Sequence, residues 1–224
     1  MSLWQAIVNA FQAVLTFLFD FTVSVGIPSY ALAIVLFTLL VKIVLFPLTY
    51  KQMVSTRKMQ ELQPEVKAIQ EKYKNNPEKA NRAIMDLYQK KGVSMFGGCL
   101  PLLIQMPIVF ALFQALRSFQ YSDVGASFLW IPHLMDPDPN YIIPIIVALM
   151  TYLQTKLTTG DSANSGNNAM LYFMPLFIGF ISKDLAAGVG IYWISQSIFS
   201  LIQQFIINKV VGKLKGEVAK NENS

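Results

Sequence analysis

Apolar residues in this chain come in long blocks, and polar residues fill the gaps between them. Five blocks stand out, at 30–46, 95–116, 141–155, 169–182 and 185–207. A helix needs about 20 apolar residues, in a range of about 17–25, to cross a hydrocarbon core. The second and fifth blocks reach that length, the first just does, and the third and fourth are short. In lipid only structures that satisfy their own backbone survive. The blocks therefore predict an all-α, polytopic membrane protein with five transmembrane helices.

Two other stretches carry helical periodicity instead. Within residues 1–29, Leu3, Trp4, Ile7, Val8, Phe11, Val14, Leu15 and Leu18 fall on one face, with Gln5, Asn9, Gln12 and Thr16 largely away from it. No Lys or Arg precedes this apolar core, so the charged region of a secretory signal is missing. The pattern predicts an N-terminal amphipathic helix lying in the outer interface; a sixth span is the competing reading. Within 48–94, Met59, Leu62, Val66, Ile69 and Tyr73 repeat at 3, 4, 3, 4, a coiled-coil seam. "KNNPEK" then breaks the helix, with Asn76 placed to cap the next one and Pro77 at its first position. Ala80, Ile84, Leu87 and Tyr88 supply the answering face. An antiparallel helical hairpin follows, and Pro64 marks where the extension of the first span should give way to its first arm. The organisation is thus an interfacial helix (1–29), a first span (30–47), the hairpin (48–94), spans two to five (95–207) and a basic tail (208–224).

Charge orients this arrangement. Ten basic residues lie between Leu48 and Gly92, among them Arg57, Lys58, Lys67, Lys72, Lys74, Lys79 and Arg82, and four more follow Ile207. Between the second and third spans stand Arg117, Asp123, Asp136 and Asp138. Basic loops stay in the cytoplasm, so the hairpin and tail are expected inside and the N-terminus outside. Five crossings satisfy that parity. The net charge of +5 is then mostly a topology signal. Anionic headgroups would favour it too, and a nucleic-acid reading of the basic loop comes second.

Composition agrees. Hydrophobic residues make up 54% and charged residues 14%, against about 25% charged in soluble domains, which excludes a water-soluble globule. The single cysteine, Cys99, excludes an intramolecular disulfide and a cysteine-cluster metal site. His133 is the only histidine and stands beside a proline in an external loop. No nucleophile–histidine pair has a meeting place, and the polar loop 158–168 lacks the lysine and spacing of a phosphate cradle. No catalytic residue, metal or cofactor is expected.

One residue breaks the apolar pattern. "LFTLLVKIVLFPL", residues 36–48, holds one charge, Lys42, and none of the thirteen acidic residues lies within an apolar block. A lone charge at the centre of a helix in lipid costs about 2.5–3.5 kcal/mol on insertion scales. The side chain can snorkel to the interface, give up its proton, or meet water in a cavity. Lys42 lies five residues before Pro47, about 7.5 Å of helix, within much of a lysine's reach. Other polar residues favour the cavity. Thr38 lies one turn away, Gln105 and Gln154 sit in the second and third spans, and Tyr192, Gln196, Ser200 and Gln203 form a stripe at spacing 4, 4, 3 on the fifth. Each is costly against lipid, so together they predict a wet groove open to the cytoplasm with Lys42 on its wall.

"LLVKIVLFPLTYKQ", "GGCLPLLIQMPIVFALF", "LWIPHLMDPDPNYIIPI" and "GIYWISQSI" resemble the YidC family of membrane protein insertases, in order, from about Tyr30 to Asn208. The resemblance implies a five-span bacterial cell-membrane protein that helps nascent membrane segments insert, alone or beside the Sec translocon. Its hydrophilic groove would be closed outside and open to cytoplasm and lipid. The family's groove charge is usually arginine; here Lys42 stands there, keeping the charge and losing the bidentate fork. The chain looks like a compact form, without the large extracytoplasmic domain or lipoprotein signal. On this reading Lys42 attracts the substrate's acidic flank. Thr38, Gln105, Tyr192, Gln196 and Ser200 hydrate the groove, and Met106, Phe110, Met174, Trp193 and Ile194 offer apolar contacts. The basic hairpin would dock lipid headgroups, a ribosome or another membrane protein. A small channel or transporter is the alternative, although ion coupling commonly uses intramembrane carboxylates.

Overall fold

The computed structural model describes residues 2–93, 100–117, 125–159 and 168–222. Within them the chain is helical: α1 (Leu3–Ser24), α2 (Tyr30–Val44), α3 (Phe46–Glu61), α4 (Gln63–Lys72), α5 (Pro77–Lys90), α6 (Leu100–Arg117), α7 (Ile142–Thr159), α8 (Asn168–Ser182) and α9 (Ala187–Glu222). Gly97, Gly98 and Cys99 of the motif "GGCLPLLIQMPIVFALF", and most of the loop 158–168, lie outside the described residues.

Faces of α1, α2, α6, α7 and α9 converge on one core, with Val8, Ile34, Phe37, Leu112, Val147, Val189 and Tyr192 at its centre. Outside it lies an apolar exterior. Ile43, Val44, Ile145, Phe173, Leu176, Phe180 and Phe205 are all exposed. Contiguous apolar surface of this extent marks an interaction or membrane surface. By length and composition α1 meets the requirement for a span, and α2 with α3 does if the bent pair counts as one. The bundle is close-packed where glycine permits. A Cβ at Gly179 would stand 2.7 Å from that of Ala148, which is what lets α8 lie against α7.

The first helical extension differs from expectation. A continuous helix from the first span to Pro64 was expected, but α2 and α3 are bent 71° apart at Leu45. Pro47 is the cause: it has no N–H for the carbonyl four residues back, and its ring crowds that carbonyl. α3 then runs to the far end of α7, where Gln60 Nε2 donates to Leu157 O at 3.0 Å. A second break at Leu62, with Pro64 in the first turn of α4, leads into α4 and α5. These two lie side by side on Leu62, Val66, Tyr88 and Val93, flanked by Met59, Ile84 and Leu87. Asn76 caps α5, its side chain accepting from Lys79 N at 3.1 Å.

α1 buries Val8, Leu15, Phe19 and Thr22. Leu3, on the apolar face, is 81% exposed. Phe11 meets Phe37 and Phe19 stacks on Tyr30, so α1 runs opposite to α2. Trp4 and Gln12, eight residues apart, reach the adjacent Gln114 and Ala115, so α1 crosses α6 instead of following it. α9 is a single helix through Glu222, so the fifth span and the basic segment from residue 208 share it.

One end of the bundle is built by residues 125–141. Gly125, at φ +81°, turns the chain where a Cβ would stand 2.8 Å from Pro28 O, and its carbonyl accepts from Tyr30 N at 3.1 Å. Leu134 O and Asp136 O accept from Gly188 N and Ala187 N, both at 2.9 Å. Asp138, 3% exposed, accepts from Ile143 N at 2.7 Å, Asn140 N at 3.0 Å and Trp130 Nε1 at 2.8 Å. Helix starts leave amides unpaired; here one loop satisfies those of α2, α7 and α9. Burial alone would push the Asp138 carboxyl up, but these hydrogen bonds outweigh it and hold it below the ordinary aspartate value.

Candidate functional site

The buried face of α2 is Ala31, Ile34, Phe37, Thr38 and Lys42. Helical spacing carries the lysine onto the same face as the core residues above it, so its side chain enters the bundle. Lys42 is 6% exposed, and Nζ donates to Ser200 Oγ on α9 at 2.6 Å. The amine is therefore held between two helices instead of reaching past Pro47. An ammonium carries three N–H donors, and Ser200 takes one of them.

A second polar connection joins α6 to α9. Gln105 Nε2 donates to Tyr192 OH at 2.6 Å, and Gln196 Nε2 donates to Gln105 Oε1 at 2.7 Å. Tyr192 and Gln196 are one turn apart, so a single amide from α6 spans both. Tyr192 is fully enclosed, a core residue whose hydroxyl is spent on this bridge. Thr38 is enclosed too, and its Oγ1 donates to Ile34 O at 2.7 Å. A buried threonine on a helix can satisfy itself on the previous turn, so Thr38 packs behind Lys42 instead of opening a wet wall beside it.

Within and beyond the two connections polar capacity remains. Gln196 Oε1, Ser197 Oγ and Gln203 Oε1 on α9, and Gln52 Nε2 on α3, are buried without a protein partner. A buried polar atom left unpaired costs about 1–3 kcal/mol. Ser197 and Gln52 were not singled out from the sequence. Ser197 stands beside the stripe's Gln196 and one turn before Ser200; Gln52 lies in "TYKQ", just past the proline break.

The apolar contacts separate. Trp193 is half-buried and its indole Nε1 donates to Thr151 Oγ1 of α7 at 3.2 Å, so it ties helices together. Ile194 packs against the core and Met174 is half-buried on α8. Met106 and Phe110 are exposed and line a crevice of about 760 Å³ with Trp4, Pro107, Phe113, Gln114 and Arg117, away from Lys42's face.

Arg57 meets Glu61 at 3.5 Å on α3 and Arg82 meets Glu78 at 2.8 Å on α5, each pair one turn apart, which reduces their free charge. Lys58, Lys72, Lys74 and Lys79 are exposed; Lys67 is half-buried and has a partner. Among the described residues no group of acidic, cysteine or histidine side chains is placed to hold a metal ion. His133 Nδ1 accepts from Met135 N at 3.4 Å, a loop contact.

The family model described as 60Kd inner membrane protein matches residues 21–214. A relative from Caldanaerobacter subterraneus subsp. tengcongensis, named membrane protein insertase YidC, is 41% identical over 189 residues, covering 84% of this chain and 90% of its own. One of the same name from Fusobacterium nucleatum is 39% identical, covering 91% and 97%. A third, from Wolinella succinogenes, is 41% identical, and the match takes in only 35% of its length. Among solved structures, an active YidC insertase with its first transmembrane domain resolved superposes with a TM-score of 0.71 at 29% identity, over 92% of this chain and 46% of that one.

Proposed function

The chain belongs to the 60Kd inner membrane protein family, that of the YidC membrane protein insertases, and from that premise we propose that it moves nascent apolar segments into the bacterial membrane past the Lys42–Ser200 contact. The loop 125–141 is the outer closure, and five crossings (α2 with its bend, α6, α7, α8 and α9) span the bilayer. α1 lies across the outer end of α6. α4 and α5 project into the cytoplasm with their lysines, to meet anionic headgroups, a ribosome or the Sec translocon.

One observation carries this reading: a buried ammonium, 6% exposed, held by a neutral hydroxyl instead of a carboxylate. Lys42 lies twelve residues into α2, about 18 Å below the capped end, so its charge sits in the inner half of the bundle. A neutral partner leaves that charge uncancelled, available to the acidic or polar flank of an entering segment. Gln196, Ser197 and Gln203 supply hydrogen bonds along the path, and Ser200 releases the amine as the flank arrives. α8 offers an apolar wall through Met174. α7 and α8, 18 and 15 residues long, reach about 27 and 22 Å; short spans thin the bilayer locally and shorten the crossing. The drive is transfer of the segment's own apolar surface into lipid, without nucleotide hydrolysis.

The test is reconstitution of the purified chain in vesicles with a small single-span substrate, scored by protection of its translocated end from added protease. Insertion above protein-free vesicles, without ATP, is expected. Equal protection with and without the protein refutes the proposal, as would solute flux in place of insertion.

A further inference from the structure

The crevice between α1 and α6 takes no part in the Lys42 site. Its floor is the face of α6 turned away from the core: Met106, Pro107, Phe110, Gln114 and Arg117 are exposed at helical spacing, while Ala111, Leu112, Ala115 and Leu116 are buried behind them. Trp4 of α1 overhangs it, its indole donating to Gln114 Oε1 at 2.6 Å. The walls are apolar except at one end, where Gln114 and Arg117 stand. Among the described residues no carboxylate pairs with Arg117.

We infer that this crevice binds one anionic phospholipid of the outer leaflet, its phosphate at Arg117 and an acyl chain descending past Phe113 and Phe110 to Met106. Three features select that occupant. The crevice opens to the exterior, where Phe110 is 55% exposed, so its natural entrant is the surrounding lipid. From Arg117 to Met106 the helix falls eleven residues, about 16 Å, close to one leaflet of a hydrocarbon core about 30 Å thick. The cation stands only at the interfacial end, beside an anchoring tryptophan, which is the polarity of an anionic amphiphile. A crevice of about 760 Å³ is within the roughly 300–1,000 Å³ of ligand sites. This assignment rests on the proposed orientation, with the C-terminal end of α6 outside.

The experiment needs no substrate, so its result is separable from that of the insertion assay. The full chain is reconstituted with photoactivatable phosphatidylglycerol or phosphatidylcholine bearing the probe on an acyl chain, and labelled peptides are mapped. Phosphatidylglycerol adducts should concentrate on Met106–Phe113 and Trp4. They should fall about fivefold in Arg117→Gln, the worth of one basic residue at an anionic surface, and be restored in Arg117→Lys. Phe110→Trp, which narrows the channel, should reduce labelling by either lipid. Equal labelling by the two lipids, no response to Arg117→Gln, or adducts spread evenly over the exposed helices overturns the assignment. So does labelling of the crevice by a stalled nascent chain and by no lipid.

Discussion

In the proposed function Lys42 is the residue on which insertion turns, and its partner decides what it can do. A carboxylate would have cancelled the charge; the hydroxyl of Ser200, at 2.6 Å, orients the amine and leaves its charge in place. Lys42→Ala should therefore lower insertion of acidic-flanked substrates about tenfold, the worth of a hydrogen bond to a charged group at about 1.5 kcal/mol, and spare neutral-flanked ones. Protease protection of paired substrates reads this directly, and an equal loss for both removes the electrostatic step. Lys42→Arg should keep activity, since attraction needs charge and not a fork. Tyr192→Phe addresses stability instead. It removes the acceptor of Gln105 Nε2 and should destabilise the bundle by about 1–3 kcal/mol, visible as a lower midpoint of unfolding in detergent.

At the scale of elements, loop 125–141 and the α2–α3 break set the two ends of the molecule. Asp138 holds the start of α7 as a carboxylate, with its pKa below the ordinary aspartate value. A depressed pKa means that the stabilisation is fully present above the unfolded-state value, about 3.9, and is lost as pH falls through the lower folded-state value. The thermal stability of wild type over Asp138→Asn should be greatest near neutrality and vanish at strongly acid pH. An advantage independent of pH would show that the carboxylate is not the stabilising form. At the other end, Pro47→Ala restores the missing N–H and should straighten the bend. α3 would then swing from α7 and the Gln60–Leu157 contact would be lost. Distances between spin labels on α3 and α7 should lengthen and broaden; an unchanged distribution would mean that packing, not the proline, holds the 71° bend.

Over the whole molecule, polar satisfaction is unequal along the bundle axis. The starts of α2, α7 and α9 are tied to one loop, whereas unpartnered polar atoms collect farther along α9 and on α3. That asymmetry fits the proposed path, closed at one face and accessible from the other. It makes the orientation testable: in a Cys99→Ser background, an impermeant maleimide should label cysteine at Lys74 only from the cytoplasmic side and at Leu129 only from outside. Labelling of both from one side breaks the proposed topology.

The sequence by itself determined the helical class and the membrane setting, because blocked apolar runs and proline–glycine punctuation act locally, and its motifs carried the family resemblance. Of the seam read from Met59 to Tyr73, the part through Val66 packs against α5; that part, the cap at Asn76 and the anomaly of Lys42 were legible for the same reason. The tertiary structure alone decided what those residues meet. Spacing placed Lys42 and Ser200 on separate helices but could not show them facing. It put Thr38 beside Lys42 without revealing a hydroxyl turned back on its own helix, and it read Asp138 as one more loop acid. Partner choice depends on how helices distant in sequence rotate and cross, and that follows from side-chain packing across the whole core, which no local pattern records.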